Sequence, residues 1–305
     1  MEVTLPIPIT SGGGAEVFYT CGAPTGDGIF KINKANGIII SSTSITVSGF
    51  TVKGCNGMAV EPSSGTFYAV VTTNTIVNGS PRRLITLNPD TGVGSDIGSL
   101  NPVFIASIAF KSDNSLRGAS GFNPPNDQQY FSINKSTASL TFLCAFNVPT
   151  GRGAGMVLAL NPNDNQIYHY YGELGVDGDF GTIDNESTCA RTANLVTGLG
   201  LGDELRSLAF STTDSIFYGG LDNEFISITT SGSGTIINPT AFSGEGGRMK
   251  GTAIIGGSST IPLTPSQQQE VDTFNNAVNI GFTVIGILPV ALFFALFSIF
   301  STRLE

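Results

Sequence analysis

Tryptophan is absent from this chain, histidine occurs once, at His169, and charged residues make up only 12% of the sequence. The cysteines include no CxxC pair, which argues against a structural zinc site; they are Cys21, Cys55, Cys144 and Cys189. These cysteines permit up to two disulfides, but their spacing does not give a pairing, and buried free thiols explain them equally well. We expect neither a metal nor a cofactor.

Basic residues are also few. The chain has 14 Lys and Arg against 23 Asp and Glu, which gives a net charge of −9 and a pI near 4.6. Binding to nucleic acid requires clustered Lys and Arg to neutralise phosphates, so we expect no nucleic-acid partner. The start of the chain, MEVTLPIPIT, lacks the basic residues and the long apolar stretch of a secretory signal.

What the chain has in abundance is turn-forming residues, with 39 Gly and 15 Pro among many Ser, Thr and Asn. Such a composition indicates short strands joined by turns, with an uncharged polar surface, and it is not that of a protein built from long helices. The length of 305 residues allows one large all-β domain or two ordinary ones, so the number of domains must come from the sequence pattern.

A short apolar cassette that ends in alanine and one apolar residue recurs along the chain. Its alanines are spaced by 50, 50, 50 and 44 residues, at Ala59, Ala109, Ala159, Ala209 and Ala253. A second element follows the first four cassettes, as Phe67-Tyr68, Leu116-Arg117, Ile167-Tyr168 and Phe217-Tyr218, and Phe18-Tyr19 opens the series without a cassette. Two further apolar stretches complete each unit, the first of them ending at Asn33, Asn88, Asn134, Asp184 and Thr229.

Units of four short strands, repeated about every 40–50 residues, predict a β-propeller, and the number of units predicts five blades. The alanine cassette is the expected innermost strand, because small side chains suit strands that converge on one axis. The chain begins with the second strand of the first blade, and we expect the final cassette, residues 251–256, to close that blade. Over residues 16–256 the repeats resemble NHL-like, YWTD-like and quinoprotein-like propellers; this resemblance implies a fold and no particular function.

A long apolar run follows the repeats. Residues 277–301 carry no charge over 25 residues, which is enough to cross a bilayer as one helix. The small and kinking residues of this predicted anchor are Ala277, Gly281, Gly286, Pro289, Ala291 and Ala295. Ala291 and Ala295 have the spacing of a helix-packing pair, or they are incidental alanines facing lipid. Arg303 places the C-terminus inside and the propeller outside by the positive-inside rule.

These elements give the predicted domain layout of the chain. Its parts are an N-terminal extension (1–15), the propeller (16–257), a linker (258–274), a transmembrane helix (275–302) and a short tail (303–305). We expect a single-pass membrane protein at a cell surface or on a virion. Three Asn-x-Ser sequons, at Asn78, Asn134 and Asn185, are consistent with external exposure.

Basic residues concentrate just before the cassettes and form the candidate ligand site, at the mouth of the central channel. They are Lys53, Arg152, Arg206, Arg248 and Lys250. One interpretation is an anion site for a carboxylate, phosphate or acidic glycan. The other is local pairing with Asp203, Glu204 and Glu245. A separate acidic loop, with Glu173, Asp177 and Asp179, lacks the pattern of a calcium loop and is interpreted as a solvated turn.

Catalytic motifs are lacking. Glycosidases need two carboxylates across a pocket, and the candidates Asp27, Glu61, Asp179 and Glu204 fall in no recognisable motif. His169 follows Tyr168 in a predicted strand, and no GxSxG elbow accompanies it. The sequence therefore predicts a protein that is not an enzyme.

The function predicted from these features is that of a non-enzymatic, membrane-anchored surface protein, a repeated subunit of a virion envelope or capsid or of a cell-surface lattice. Its expected partners are membrane lipid, copies of itself or other coat subunits, and a host receptor or glycan. One alternative is a membrane-tethered lectin or anion-binding module. A second is a glycan-processing enzyme.

Overall fold

The structure, a computed structural model, describes residues 16–24, 26–77, 80–121, 128–147, 155–173, 176–199, 205–242 and 247–256. The chain divides into two units, residues 1–259 and 260–305, and all the described residues belong to the first. Every regular element in the described ranges is a β-strand.

The strands of the first half are short and follow one another through tight turns. They are β1 (Val17–Pro24), β2 (Gly28–Ile32), β3 (Ile39–Ser44), β4 (Thr46–Val47), β5 (Val52–Val60), β6 (Phe67–Val77), β7 (Ser80–Leu87), β8 (Val93–Ser99), β9 (Ile105–Phe110), β10 (Leu116–Ser120), β11 (Gln129–Ile133) and β12 (Leu140–Ala145). Those of the second half are β13 (Gly155–Asn161), β14 (Gln166–Glu173), β15 (Val176–Asn185), β16 (Ala190–Leu195), β17 (Leu205–Ser211), β18 (Ile216–Leu221), β19 (Glu224–Ile228), β20 (Gly234–Asn238) and β21 (Gly247–Ile255).

These strands form five antiparallel sheets, the blades of a propeller. Blade 1 has the order β21-β1-β2-β3, and blades 2 to 5 are β5–β8, β9–β12, β13–β16 and β17–β20. Blade 2 has a fifth strand, because β4 pairs in parallel with the start of β8. The five-bladed, all-β prediction is thereby confirmed, including the closure of blade 1 by the last strand.

The alanine cassettes are the inner strands, as predicted. Each inner strand contacts the next in the ring β5, β9, β13, β17, β21 and back to β5. The cassette alanines are buried, with exposures from 3% at Ala109 to 9% at Ala209. A small side chain at this point lets five strands approach one axis.

The hydrophobic core consists of five clusters, one at each seam between adjacent blades. Tyr19, Ile29, Val71 and Ile85 are among the residues that join blades 1 and 2, for example, and Phe18 with Phe225 joins blades 1 and 5. These last two rings meet edge to face at 5.1 Å. Each blade therefore buries both faces of its sheet against the neighbouring blades. This burial explains why apolar side chains project from both faces of its strands.

The ring closes where β21 pairs with β1, in a register that sets Ala253 opposite Tyr19 and Gly251 opposite Cys21. Two disulfides bridge neighbouring blades. Cys21–Cys55 joins β1 of blade 1 to β5 of blade 2, and Cys144–Cys189 joins β12 of blade 3 to the turn before β16 of blade 4. The structure thus settles the pairing that the sequence left open.

The predicted transmembrane helix, 275–302, lies outside the described residues, as do the linker and the tail. Within the described part of the chain there is no helix with the length and hydrophobicity to span a bilayer. The domain boundaries drawn from the sequence remain predictions.

Candidate functional site

The propeller has an upper face, where the inner strands begin, and a lower face, where they end. The predicted basic residues that the structure describes belong to the upper half. Lys53 lies exposed on β5, Arg206 lies on β17, and Lys250 lies half-buried on β21. Arg248 belongs to β21, but its side chain is not among those described, and Arg152 falls outside the described residues.

Arg206 and Lys250 are the two predicted residues that the structure places at equivalent positions. Each stands three residues before its cassette alanine, on neighbouring inner strands. The Arg206 Nε lies 3.7 Å from Oδ1 of Asp222, in the turn between β18 and β19. The sequence did not identify this acidic partner, and the expected ones, Asp203, Glu204 and Glu245, lie outside the described residues. Anion binding at the channel mouth remains a prediction.

The lower face carries a repeated contact that sequence reasoning missed. At four of the five seams, a charged residue in the turn between the third and fourth strands reaches back to the preceding blade. We call these contacts the seam clasps: Lys34 with Asp214, Asp90 with Tyr19, Lys135 with Glu61, and Glu186 with Lys111 and Arg117. The donor–acceptor distances are 2.6 Å for Lys34–Asp214 and 2.8 Å for Tyr19–Asp90.

Two of the clasps show how a contact across a seam favours the charged form of its residues, those of Lys34 and Glu186. Burial alone would lower the pKa of Lys34, but hydrogen bonds from its ammonium to Asp214 and Glu16 outweigh burial and raise that pKa. Burial would likewise raise the pKa of Glu186, whereas the hydrogen bond and charge of Arg117 lower it. The Lys34 ammonium also donates a hydrogen bond of 3.1 Å to the hydroxyl oxygen of Ser211, which extends this group into blade 5.

Tyrosines in the second strands contribute to the same face. The hydroxyls of Tyr19, Tyr168 and Tyr218 donate hydrogen bonds to Asp90, Asp164 and Asp214. Burial, with those carboxylates, raises the pKa of Tyr19 and of Tyr168 to about 12. These hydroxyls therefore stay protonated as donors. The sequence pattern used these three tyrosines only to locate the second strands and did not predict their hydrogen bonds.

His169 lies in β14, as predicted, and is fully buried. Its ring stacks on Phe146, with centroids 4.0 Å apart and planes at 7°. Neither ring nitrogen has a hydrogen-bond partner among the described residues. Burial, with a smaller effect from the Arg191 charge, lowers the pKa of His169 well below its ordinary value of 6.5. The imidazole is a neutral core group.

Acid should therefore destabilise the propeller through His169. The unfolded chain binds a proton near pH 6.5 and the folded chain does not, so stability is full above that pH and falls as the pH is lowered. The loss reaches at most about 1.4 kcal/mol per pH unit. Urea unfolding at pH 7, 6 and 5 should show this dependence in the natural protein and much less of it in His169→Phe. Equal slopes in the two proteins would contradict the assignment.

The catalytic candidates that the structure describes, Asp27, Glu61 and Asp179, belong to three different blades, 1, 2 and 4. Glu61 lies in the β5–β6 hairpin and is held by Lys135, while Asp179 lies on β15 with its Oδ1 2.6 Å from Nη2 of Arg191. Asp27 is in the turn between β1 and β2, and Glu204 is outside the described residues. Within the described ranges, no three His, Cys, Asp or Glu side chains form a metal-binding group.

Comparison with known proteins yields likeness in fold only. No family model and no curated protein sequence matches the chain. A chain of a nidogen/laminin complex is similar at a TM-score of 0.50 and 10% identity, covering 79% of this chain and 98% of that one. A putative oxidoreductase (glucose dehydrogenase) from Thermus thermophilus has a TM-score of 0.42 and 16% identity, covering 84% and 90%. Virginiamycin B lyase from Staphylococcus aureus is similar at a TM-score of 0.42 and 14% identity, covering 73% of this chain and 71% of that one.

Two of these three propellers are described as enzymes, and this corrects one prediction. The sequence predicted a protein that is not an enzyme, on the ground that no catalytic motif is visible. That prediction was wrong in its reasoning, because solved structures similar in fold include a dehydrogenase and a lyase. At identities of 16% and 14%, the likeness shows the fold alone. The chain is a five-bladed β-propeller, and the comparisons place it in no narrower family.

Proposed function

We propose that this protein is a binding and structural subunit, held on a membrane by its C-terminal apolar segment with the propeller on the outer side. The observation that carries the proposal is the disulfide pairing. All four cysteines are paired, and both pairs join different blades. Structural disulfides form and persist in oxidising compartments, at cell surfaces and on virions, and are rare in the cytosol.

The membrane part of the proposal is supported by the sequence. The run of 25 uncharged residues at 277–301 has the length of a bilayer crossing. With a propeller in an oxidising compartment and Arg303 beyond the run, the orientation given by the positive-inside rule agrees with that given by the disulfides.

The binding part of the proposal follows from how the two faces are built. On the lower face, the charged side chains of the clasps satisfy one another across the seams. These contacts join four of the five seams, and the binding residues of a scaffold lie most often in its loops, here those of the upper face. The similar chain in the nidogen/laminin complex belongs to a protein–protein complex, which supports a protein partner for this propeller as well.

A second candidate function is recognition of an acidic ligand at the channel mouth. The equivalent positions of Arg206 and Lys250 on adjacent inner strands favour it. The carboxylate of Asp222, 3.7 Å from the guanidinium of Arg206, already neutralises part of the positive charge of Arg206. An acidic ligand would compete with this carboxylate, so we rank this candidate second.

Membrane attachment is tested by flotation of the full chain with lipid vesicles. We expect the natural protein to float with the vesicles and to resist extraction by high salt and by carbonate. A charge in the middle of the apolar run, Ala291→Lys, should reduce the floated fraction several-fold, because a charged side chain at a helix centre costs about 3 kcal/mol to insert.

The matched control is Gln268→Lys, which adds the same charge before the apolar run. It should float like the natural protein. Natural protein that stays with the soluble fraction, or an Ala291→Lys variant that floats as well as the control, would contradict the proposal.

A further inference from the structure

The fourth strands of the blades carry the exposed apolar side chains of this propeller. They are the outermost strands of their blades except at the start of β8, where Val93 and Gly94 pair with β4. Among the described residues, every large hydrophobic side chain that is exposed to solvent lies on a fourth strand or in the turn leading into one. We call this set the apolar rim; its members are Ile38 (57% exposed), Ile40 (59%), Val93 (58%), Phe142 (55%), Leu195 (65%) and Ile236 (37%). Each blade contributes at least one member. Scattered single residues need no explanation, but a set confined to one element of every blade does.

The rim is also free of unneutralised charge. The outer strands β3, β12 and β20 contain no charged residue. The only charged residues of β8 and β16 are Asp96 and Arg191, and each is paired within its own blade, with Arg83 and Asp179 at 2.6 Å. Edge strands of soluble proteins commonly carry unpaired lysines that prevent association. That protection is missing here.

The outer strands are not prepared for extension of the sheet by another strand. Four of them contain an extra residue that interrupts pairing with the third strand: Ile40 in β3, Ile97 in β8, Leu143 in β12 and Ile237 in β20. Such bulges break the regular row of edge hydrogen-bonding groups. A partner would therefore contact the rim through side chains.

We infer that copies of this chain pack side by side through their apolar rims. The argument for a second copy is electrostatic. With a net charge of −9, two copies repel each other over most of their surfaces, and a basic partner would prefer those surfaces. The uncharged rim is where two identical acidic molecules meet with least repulsion and bury apolar area on both sides.

Each rim contact is small. One or two aliphatic or aromatic side chains from each partner bury a few hundred Å², well below the roughly 1,200 Å² of a stable interface. Five blades, however, offer each copy several neighbours, and attachment to one membrane raises the effective concentration. The inference rests on the proposed membrane attachment: it describes a two-dimensional array that forms on a membrane and disperses in dilute detergent.

The test uses full chain in lipid vesicles at high surface density, with donor or acceptor dye on the N-terminal amine. We expect energy transfer above the value for randomly placed molecules. In the rim variant Ile40→Lys/Phe142→Lys/Ile236→Lys, the energy transfer in excess of the random value should fall at least threefold. The control Ala35→Lys/Ser136→Lys/Thr230→Lys adds the same charge to exposed lower-face turns of the same three blades. It should show the same excess energy transfer as the natural protein.

The outcomes separate the two proposals. Chain that does not float with the vesicles contradicts the membrane proposal. Chain that floats but shows only random energy transfer overturns the rim inference, and so does a rim variant that keeps the excess of the natural protein. Unfolding by urea, measured on all three proteins, shows that the substitutions leave the propeller folded, because every replaced side chain is exposed.

Discussion

Replacing Gly251 with alanine is expected to lower the free energy of unfolding by about 3 kcal/mol or more. Gly251 lies on β21, the strand that closes the ring, directly opposite Cys21. A Cβ at this position would stand 2.6 Å from the Met58 amide nitrogen and 2.7 Å from the Gly57 carbonyl carbon. Both are backbone atoms of β5, the next inner strand, so the clash can be relieved only by moving β21 or β5.

The matched control is Gly26→Ala, in the turn after β1. There an added Cβ would meet nothing closer than 3.5 Å, which is ordinary contact. We expect this variant to unfold within about 1 kcal/mol of the natural protein, since the alanine also restricts the unfolded chain. Urea unfolding followed by circular dichroism gives both values. If Gly251→Ala is as stable as Gly26→Ala, then β21 does not pack against β5 as described.

Removing either disulfide should cost about 2–4 kcal/mol of unfolding free energy. The bridged cysteines are 34 and 45 residues apart, and the chain-entropy estimate for loops of that length is about 4 kcal/mol each. The variants are Cys21→Ala/Cys55→Ala and Cys144→Ala/Cys189→Ala. Because the bridges lie at different seams, we expect the two losses to add.

Two controls accompany this series. Reductant should destabilise the natural protein by the sum of the two losses and leave the variant without cysteines unchanged. A thiol reagent applied to unfolded, unreduced natural protein should find no reactive group, because all four cysteines are paired. Four reactive thiols in protein purified without reductant would contradict the pairing and, with it, the external placement of the propeller.

The fold could be predicted from the sequence because the repeats align with one another at a nearly constant spacing. An alanine cassette every 44–50 residues fixed the inner strands, and the Phe-Tyr markers fixed the second strands. The opening unit lacks a cassette, so the last cassette of the chain was expected to complete its blade. In the structure that cassette, on β21, pairs with β1. Most contacts of this propeller lie within a blade or between neighbouring blades, so local pattern determined nearly all of its topology.

The side-chain contacts of the lower face could not be predicted in the same way. The Lys34–Asp214 clasp joins residues far apart in the chain, at the seam that forms only when the ring closes. The disulfide pairing also depends on which strands become neighbours at a seam. A signal for the clasps was nevertheless present, because Lys34, Asp90, Lys135 and Glu186 each lie one to three residues after the end of a third strand.

Function was predicted less well than fold. Basic residues near the cassettes suggested an anion site, but pairing depends on the turns that surround them, and the structure sets Asp222 beside Arg206. The exclusion of catalysis relied on the absence of motifs, and the absence of a motif does not exclude catalysis. Propellers keep their chemistry in loops whose residues change without altering the repeats.

The most direct test of the account is electron cryo-microscopy of the full chain reconstituted in lipid vesicles at high density. We predict propeller-sized densities attached to the bilayer, touching their neighbours edge to edge through the blade rims, with their faces left free. Propellers that are absent from the membrane, or that meet face to face through the channel mouths, would contradict it.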